Sequence, residues 1–301
     1  MFNSDGSADR VDAAVSSTEV GETAVQVRWS VCGASVPGTK HLEKNQGCDD
    51  AFGYATVGDM VVLAVADGAG SVTGKSAWGS YTAVNQVLDD VTAPWFEDML
   101  SDVRTGEVTP QGLLEWLFRS ALETLRRRVA YTGQPLSDLA TTLAVAIATP
   151  DLTMCAQIGD GIIALKTPAG IETVLIEEKT EYENWTWFLQ SDRAFSESFR
   201  SYASTGATAL ALSTDGMSYK ITNVATGAAF VPFFEEAWTA VAEGLNHQQF
   251  AAWLAGIEND QTGDDKTIVL AQRVEVPASA EPELEVKVQS HRPPRWPRMR
   301  S

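Results

Sequence analysis

The sequence predicts an α+β fold built on antiparallel sheets. Apolar segments with strand patterns occur in neighbouring groups that short turn sequences separate, which is typical of hairpins. Segments with helical spacing occur in pairs between these groups. Strand and helix do not alternate regularly along the chain, so the sequence does not favour a doubly wound parallel sheet.

The first half of the chain begins with a strand pattern and continues with a helix pair. Residues 24–35 alternate apolar and polar side chains, and residues 52–58 and 60–67 predict a hairpin around Gly58 and Asp59. Leucines and other apolar residues recur at helical spacing over 72–92 and 111–131.

The second half repeats this organisation. Residues 139–167 predict three strands joined by two turns, and residues 209–217 predict a strand that ends in Asp-Gly. Two amphipathic helices over 233–245 and 247–258 precede a last strand over 264–272.

Three regions are expected along the chain. Residues 1–23 are polar and acidic, which predicts a disordered segment, and residues 24–273 form the predicted folded domain. Residues 274–301 are rich in proline and arginine and predict a flexible tail. An alternative is that this tail docks on an acidic partner, with Trp296 as its anchor.

Composition limits the classes of function. The net charge of −18 repels nucleic-acid phosphates, so no nucleic-acid partner is expected. The chain shows neither a signal-peptide pattern nor an apolar run long enough for a bilayer, so no membrane association is expected. The three cysteines have no disulfide or zinc-ligand spacing, and a cytoplasmic protein is the expectation.

The stretch VADGAGSVTGKS, residues 65–76, allows two interpretations. Its second part matches a relaxed nucleotide-binding P-loop that ends in Lys75, but Ala69 replaces the first glycine and Asp67 would repel phosphate. Its first part, Asp67-Gly68, matches a metal-binding turn. The absence of a series of βαβ units favours the metal interpretation.

Aspartates recur at the ends of predicted strands, usually beside glycine. Each alone is typical of a turn, but strands that pack side by side bring such residues together. Gathered carboxylates raise the pKa of one another, and Mg²⁺ or Mn²⁺, which prefer oxygen ligands, relieve that repulsion. The set is Asp49, Asp50, Asp67, Asp160, Asp215, Asp264 and Asp265.

The order and spacing of these segments resemble the metal-dependent protein serine/threonine phosphatases of type 2C, in their bacterial branch. The resemblance extends from about His41 to Leu270. The matching segments are Gly38-Thr39-Lys40-His41, CDDAF, VADGAGS, LATTLAVAI with QIGDG, LALSTDG and GDDKTIVL.

The resemblance implies a four-layer αββα sandwich, in which helix pairs flank two antiparallel sheets. It implies that Asp67 bridges two metal ions, that the Gly68 carbonyl binds the first, and that Asp215 and Asp264 bind the second. Asp50, with Asp49, would hold metal-bound water. Asp160 would be a ligand of a third, looser metal.

The implied activity is hydrolysis of phosphomonoesters on protein serine and threonine by a hydroxide that bridges two Mn²⁺ or Mg²⁺ ions, with a third ion as an option. The expected partners are a phosphorylated protein substrate and a cognate serine/threonine kinase.

The sequence departs from the family where many members carry a phosphate-gripping arginine before the acidic pair. Lys44 and His41 are the candidates to replace it, with His41 also a candidate general acid. This departure leaves open a catalytically weak regulatory protein with the phosphatase fold. A P-loop nucleotide-binding protein is the second alternative.

Overall fold

Two antiparallel sheets packed face to face form the centre of the molecule. The computed structural model describes residues 25–69, 75–176, 186–257, 261–277 and 284–290. Helices cover the outer face of each sheet, so the predicted α+β class and the αββα sandwich are confirmed.

The first sheet has the strand order β1-β12-β9-β6-β7, and every pair in it is antiparallel. Its strands are β1 (Val25–Val36), β6 (Ile162–Thr167), β7 (Gly170–Ile176), β9 (Ala209–Ser213) and β12 (Lys266–Pro277).

The second sheet has the order β13-β2-β3-β4-β5-β8 and is also antiparallel. Its strands are β2 (Ala51–Val57), β3 (Met60–Ala66), β4 (Leu143–Ala148), β5 (Thr153–Ile158), β8 (Arg200–Ser204) and β13 (Glu285–Ser290). A small separate hairpin pairs β10 (Thr222–Asn223) with β11 (Ala228–Ala229).

Helices form the outer layers and several connections. They are α1 (Thr39–Glu43), α2 (Ser76–Val91), α3 (Phe96–Thr105), α4 (Pro110–Thr132), α5 (Ala194–Glu197), α6 (Ser218–Ile221), α7 (Val231–Ala242) and α8 (His247–Ala255), with 3₁₀ turns at Leu136–Leu139 and Asp215–Met217. No helix in the described residues is both long and apolar enough to cross a bilayer.

The period-2 pattern of strand β3 explains the layering. Val61, Leu63 and Val65 face the first sheet and join the core between the sheets. Val62 and Ala64 face the other way and pack with helices α2, α3 and α4. In the first sheet, the outward-facing side chains pack against α7 and α8. Central strands such as β3 and β4 are therefore buried on both faces, which accounts for their nearly continuous apolar sequences.

The register places the ends of many strands at one end of the sandwich. In the second sheet, β2 begins where β3 ends, and β4 begins where β5 ends. In the first sheet, Ser213 at the end of β9 pairs with Ile162 at the start of β6, and β12 begins where β1 ends. The connections at this end define an opening that we call the mouth.

The structure contains several elements that the sequence did not predict, among them the short helices α1, α5 and α6 and the β10–β11 hairpin. Helix α3 and strands β7 and β8 were not predicted. Strand β13 lies within the segment expected to be a flexible tail, because alternating valines at 286 and 288 allow it to pair with β2. The loop at 70–74, the N-terminal segment, and residues 291–301 with Trp296 lie outside the described residues.

Candidate metal centre

The predicted aspartates come together at the mouth of the sandwich. In the second sheet, Asp49 and Asp50 directly precede β2, Asp67 directly follows β3, and Asp160 follows β5. In the first sheet, Asp215 follows β9, and Asp264 and Asp265 precede β12. The strand register therefore brings residues far apart in the chain to one place.

Four other aspartates lie close enough to affect the Asp67 carboxylate. Asp50, Asp215, Asp264 and Asp160 all act electrostatically on its carboxylate, and their negative charges add to the effect of burial. The pKa of Asp67 is therefore raised well above its ordinary value, with burial as the largest cause. The sequence-based ligand set thus converges around one side chain.

The backbone of Asp67 is held by two threonines at the start of β4. The Asp67 N–H donates to Thr142 Oγ1 at 2.9 Å, and its carbonyl accepts from the Thr141 hydroxyl at 3.0 Å and from the Thr142 N–H at 2.8 Å. The sequence pattern indicated only ordinary strand residues at these positions. Both threonines are buried, so they fix Asp67 without reaching solvent.

Gly68 lies in a space that only glycine fits. It forms an isolated bridge with Thr141, and a Cβ there would lie 2.7 Å from the Asp49 carbonyl oxygen and 2.8 Å from the Ser76 carbonyl carbon. The backbone of the Asp67 turn therefore approaches the Asp49 segment closely.

Asp49 and Asp50 are buried and hydrogen-bonded to hydroxyl groups. Ser76, the first residue of α2, donates to Asp49 Oδ2 at 2.7 Å, and Thr214 donates to Asp50 Oδ2 at 2.8 Å. Within the described part of the chain, Asp50 Oδ1 is buried without a hydrogen-bond partner. Burial is the main cause that raises the pKa of both carboxyls, and the charge of Asp265 adds to it.

The solvent exposure of the carboxylates divides them into two groups. Asp67, Asp215 and Asp264 are partly exposed, so ions from solution can reach them. Asp49, Asp50 and Asp160 are buried, and Asp160 accepts a hydrogen bond from Thr186 at 3.0 Å. The exposed group contains the three aspartates that the resemblance assigns to the first two metal ions, whereas Asp160, its candidate ligand for a third ion, is buried.

Asp265 is buried and forms hydrogen bonds to two other segments of the chain. The sequence places it in the acidic set but indicates no role for it. Its carboxylate accepts hydrogen bonds from the Gly38 N–H at 2.8 Å and the Asp49 N–H at 2.6 Å. His41 Nδ1 lies 2.8 Å from Asp265 Oδ1. The side chain therefore joins the start of β12 to the connection that leads into β2.

The sequence gives little indication that Thr214, Ser76 and Asp265 belong to the site. Thr214 directly precedes Asp215-Gly216, and Ser76 ends the stretch 65–76 that contains Asp67-Gly68, but serine and threonine are common at strand ends and helix starts. Asp265 follows Asp264 directly, and neighbouring residues on an extended chain point in opposite directions. In the structure Asp264 is partly exposed and Asp265 is buried, a difference that their sequence positions do not predict.

The oxygen atoms at the mouth are suited to divalent cations. The mouth presents carboxylate oxygens, and no lysine, arginine or histidine in the described residues forms an ion pair with Asp50, Asp67 or Asp264. The described side chains are not arranged as a closed shell of three or more ligands around one point. Mg²⁺ needs no such shell, because it is typically bound through one or two carboxylates and keeps several waters. The residues present therefore fit a hard, hydrated cation.

The candidate phosphate-binding residues occupy different environments. His41 is buried, and its Nδ1 faces Asp265. Lys44 is exposed at the end of α1. Lys75, the lysine of the P-loop interpretation, forms an ion pair with Asp138 at 2.8 Å.

The chain is similar to known proteins over most of its length. The family model described as "Protein phosphatase 2C" matches residues 37–255. The chain is 30% identical over 262 residues to serine/threonine-protein phosphatase 3 of Escherichia coli (strain K12), which covers 81% of this chain and 98% of that protein.

Solved structures show the same fold at low sequence identity. The S. agalactiae serine/threonine phosphatase aligns with a TM-score of 0.52 and 15% identity, covering 83% of this chain and 99% of that one. The catalytic domain of the serine/threonine phosphatase PstP, solved with two manganese ions, gives 0.50 and 15%, covering 83% and 100%. With an aspartate mouth at one end of an αββα sandwich and a family model that matches most of its length, this chain belongs to the protein phosphatase 2C family.

Proposed function

We propose that the mouth is the active site of this protein and that Asp67, Asp215 and Asp264 hold divalent cations there. Membership of the protein phosphatase 2C family makes the chain a metal-dependent protein serine/threonine phosphatase. The regulatory-protein and P-loop alternatives are not favoured. The observation that carries the residue assignment is the convergence of Asp50, Asp160, Asp215 and Asp264 around the carboxylate of Asp67.

Two Mn²⁺ or Mg²⁺ ions would supply an activated water as nucleophile and offset charge on the phosphoryl oxygens. Exposed carboxylates suit the ligand role, since a hydrated ion reaches them without unfolding the mouth. Asp67 lies among the others and would hold the ions together with Asp215 and Asp264. The Gly68 carbonyl joins it, because the glycine brings that backbone close to Asp49.

The buried carboxylates act through water and hydrogen bonds. One carboxylate oxygen of Asp50 accepts a hydrogen bond from Thr214, and the other has no hydrogen-bond partner in the described residues. Asp50 is therefore placed to accept a hydrogen bond from a metal-bound water. Asp49 is held by Ser76 and supports the same segment. Asp160, held by Thr186, is the proposed ligand for a third, weaker cation.

Lys44 and His41 have separate proposed roles. Lys44 is exposed at the end of α1 and binds the substrate phosphate as a point charge. His41 faces Asp265 through Nδ1, which fixes the ring, and its other nitrogen is the candidate proton donor to the leaving oxygen.

The substrates in this proposal are phosphorylated proteins, and a serine/threonine kinase is the proposed counterpart. We also propose a cytoplasmic location. The three cysteines, Cys32, Cys48 and Cys155, are all buried free thiols, which suits a reducing compartment.

The test is hydrolysis of phosphoserine, phosphothreonine and phosphotyrosine peptides by the full chain with Mn²⁺, Mg²⁺ or EDTA. We expect turnover of the first two peptides with either metal and none with EDTA. Asp67→Asn should lower kcat at least a hundredfold, whereas the matched change Asp138→Asn at the Lys75 ion pair should leave it within about twofold. Turnover that survives EDTA, or equal rates in both variants, would contradict the proposal.

A further inference from the structure

A surface cavity of about 610 Å³ lies on the short segment that follows Asp215. Its walls come from α6 and the β10–β11 hairpin and include Tyr219, Lys220, Ala229 and Phe230. Tyr219 is 53% exposed and Phe230 is 52% exposed. Two exposed aromatic side chains thus border one cavity, and exposed apolar patches beside a cavity are typical of interaction sites.

The cavity lies beside the mouth, because a short continuous segment joins Asp215 at the mouth to Tyr219 on the cavity wall. Asp215 begins a 3₁₀ turn that leads directly into α6, which carries Tyr219. Four residues at about 2 Å each place Tyr219 roughly 8 Å from Asp215 along the chain.

The hairpin also contacts the end of β7, which lies two strands from β9 in the first sheet. A Cβ on Gly227, at the hairpin turn, would lie 3.2 Å from Cγ2 of Ile176. Ile176 pairs with Ile162, which follows Asp160 after one residue. The cavity therefore lies between the segment that carries Asp215 and the strands that adjoin Asp160.

We propose that this cavity binds an apolar side chain of the polypeptide substrate, close in sequence to the phosphorylated residue. The inference rests on the proposed function, because it requires the phosphoryl group to lie in the mouth. An extended peptide advances about 3.3 Å per residue, so a side chain two to four residues away spans roughly 7–13 Å. That range reaches Tyr219 from the carboxylates.

The chemistry of the walls selects the occupant. Tyr219, Ala229 and Phe230 offer apolar surface to an occupant of the cavity. Contact with an apolar side chain strengthens peptide binding without relying on charge, which the acidic surface of this protein opposes. The cavity thus makes the enzyme selective for the sequence around the phosphoserine.

The test uses a phosphoserine peptide library in which leucine or serine occupies each position within four residues of the phosphoserine. For the full chain with Mn²⁺, kcat/KM for each peptide is divided by kcat/KM for an aryl phosphate. We expect leucine to be preferred at one position by about fivefold to twentyfold. Tyr219→Ala and Phe230→Ala should each reduce that preference to within about twofold of unity.

Trp95→Ala is the matched control, because Trp95 is a similarly exposed aromatic residue beyond the far end of α2, whose first residue contacts Asp49. It should keep the leucine preference. A preference that survives in both cavity variants, or no preference at any position, would overturn the inference while aryl phosphate turnover continued. Absence of turnover on every substrate would instead count against the proposed function.

A second measurement locates the peptide directly. A phosphopeptide with a photoreactive leucine at the preferred position is irradiated with the full chain, and the attachment site is read by mass spectrometry. Attachment to α6 or to the hairpin supports the inference, and attachment only elsewhere refutes it. A change of oligomeric mass in Tyr219→Ala without a change in preference would assign the cavity to a second copy of the chain and also refute it.

Discussion

Replacement of Asp67 by asparagine should stabilise the metal-free protein while it removes activity. The pKa of Asp67 is raised because its carboxylate is largely removed from water and lies near the charges of Asp50, Asp215, Asp264 and Asp160. In the absence of cations, ionising Asp67 therefore costs free energy in the folded protein. The same ionisation carries no such cost in the unfolded chain. Asparagine keeps the shape of the side chain and removes its charge.

The magnitude follows from Coulomb's law. Two unit charges about 7 Å apart repel by about 2 kcal/mol at an effective dielectric constant of about 20. Asp67 is partly exposed, so water screens its several neighbours, and we expect a net gain of about 1–2 kcal/mol in the free energy of unfolding. For a chain of this size the gain corresponds to a rise of roughly 2–8 °C in Tm.

The pH dependence has a definite sign. A carboxyl whose pKa is raised in the folded state stabilises the protein fully only below its unfolded-state pKa of about 3.9. This stabilisation is lost as the pH rises through the folded-state pKa. The Tm of the wild-type protein in EDTA should therefore fall, relative to that of Asp67→Asn, as pH rises from about 4 to about 8. Added Mn²⁺ should raise the wild-type Tm and have less effect on the variant.

Thermal unfolding in EDTA and in Mn²⁺ across this pH range is the assay. Asp138→Asn is the matched control, because its carboxylate pairs with Lys75 instead of facing other acids, and it should lose up to about 1 kcal/mol. An Asp67→Asn protein that is less stable than wild type in EDTA at every pH would refute the electrostatic reasoning.

Three further variants test other parts of the site. Asp215→Asn should lower kcat at least a hundredfold with an unchanged circular dichroism spectrum, and a near-normal rate would remove Asp215 from the ligand set. Lys75→Ala should retain most phosphatase activity and lose less than about 1 kcal/mol of stability, since its partly exposed ion pair is weak; a collapse of activity would favour the nucleotide-loop interpretation. Asp265→Asn should lose about 1–3 kcal/mol on chemical denaturation, because the carboxylate accepts from two backbone N–H groups, and an unchanged midpoint would show that these bonds contribute little.

The sequence could predict the fold class and the convergence of the aspartates for separate reasons. Hairpin signals such as Gly58-Asp59 identify antiparallel neighbours, and antiparallel neighbours place one strand's end beside the next strand's start. Asp50 and Asp67 therefore had to share an end once β2 and β3 were paired. Bringing Asp215 and Asp264 to the same end depended on the family resemblance, since no local signal relates the two sheets.

Other features depend on contacts that a single sequence does not encode. The role of Asp265 requires the long-range pairing of β12 with β1, and the role of Thr142 requires the pairing of β4 with β3. Strand β13 is short and partly polar, so its sequence resembles the surrounding tail, and only the available edge of β2 identifies it as a strand. Helix α3 was missed although Glu97 and Asp98 in its first turn are typical of a helix start.

Strand β13 has a practical consequence for work with this protein. It covers the backbone edge of β2 from Ala51 to Thr56, and its last pair, Ser290 with Ala51, adjoins Asp50. A truncation near residue 277 would expose a row of unpaired amides on an apolar strand, and such edges promote aggregation between copies. Affinity tags and fusion partners are therefore better attached after residue 290, with a spacer, than in place of the last twenty-odd residues.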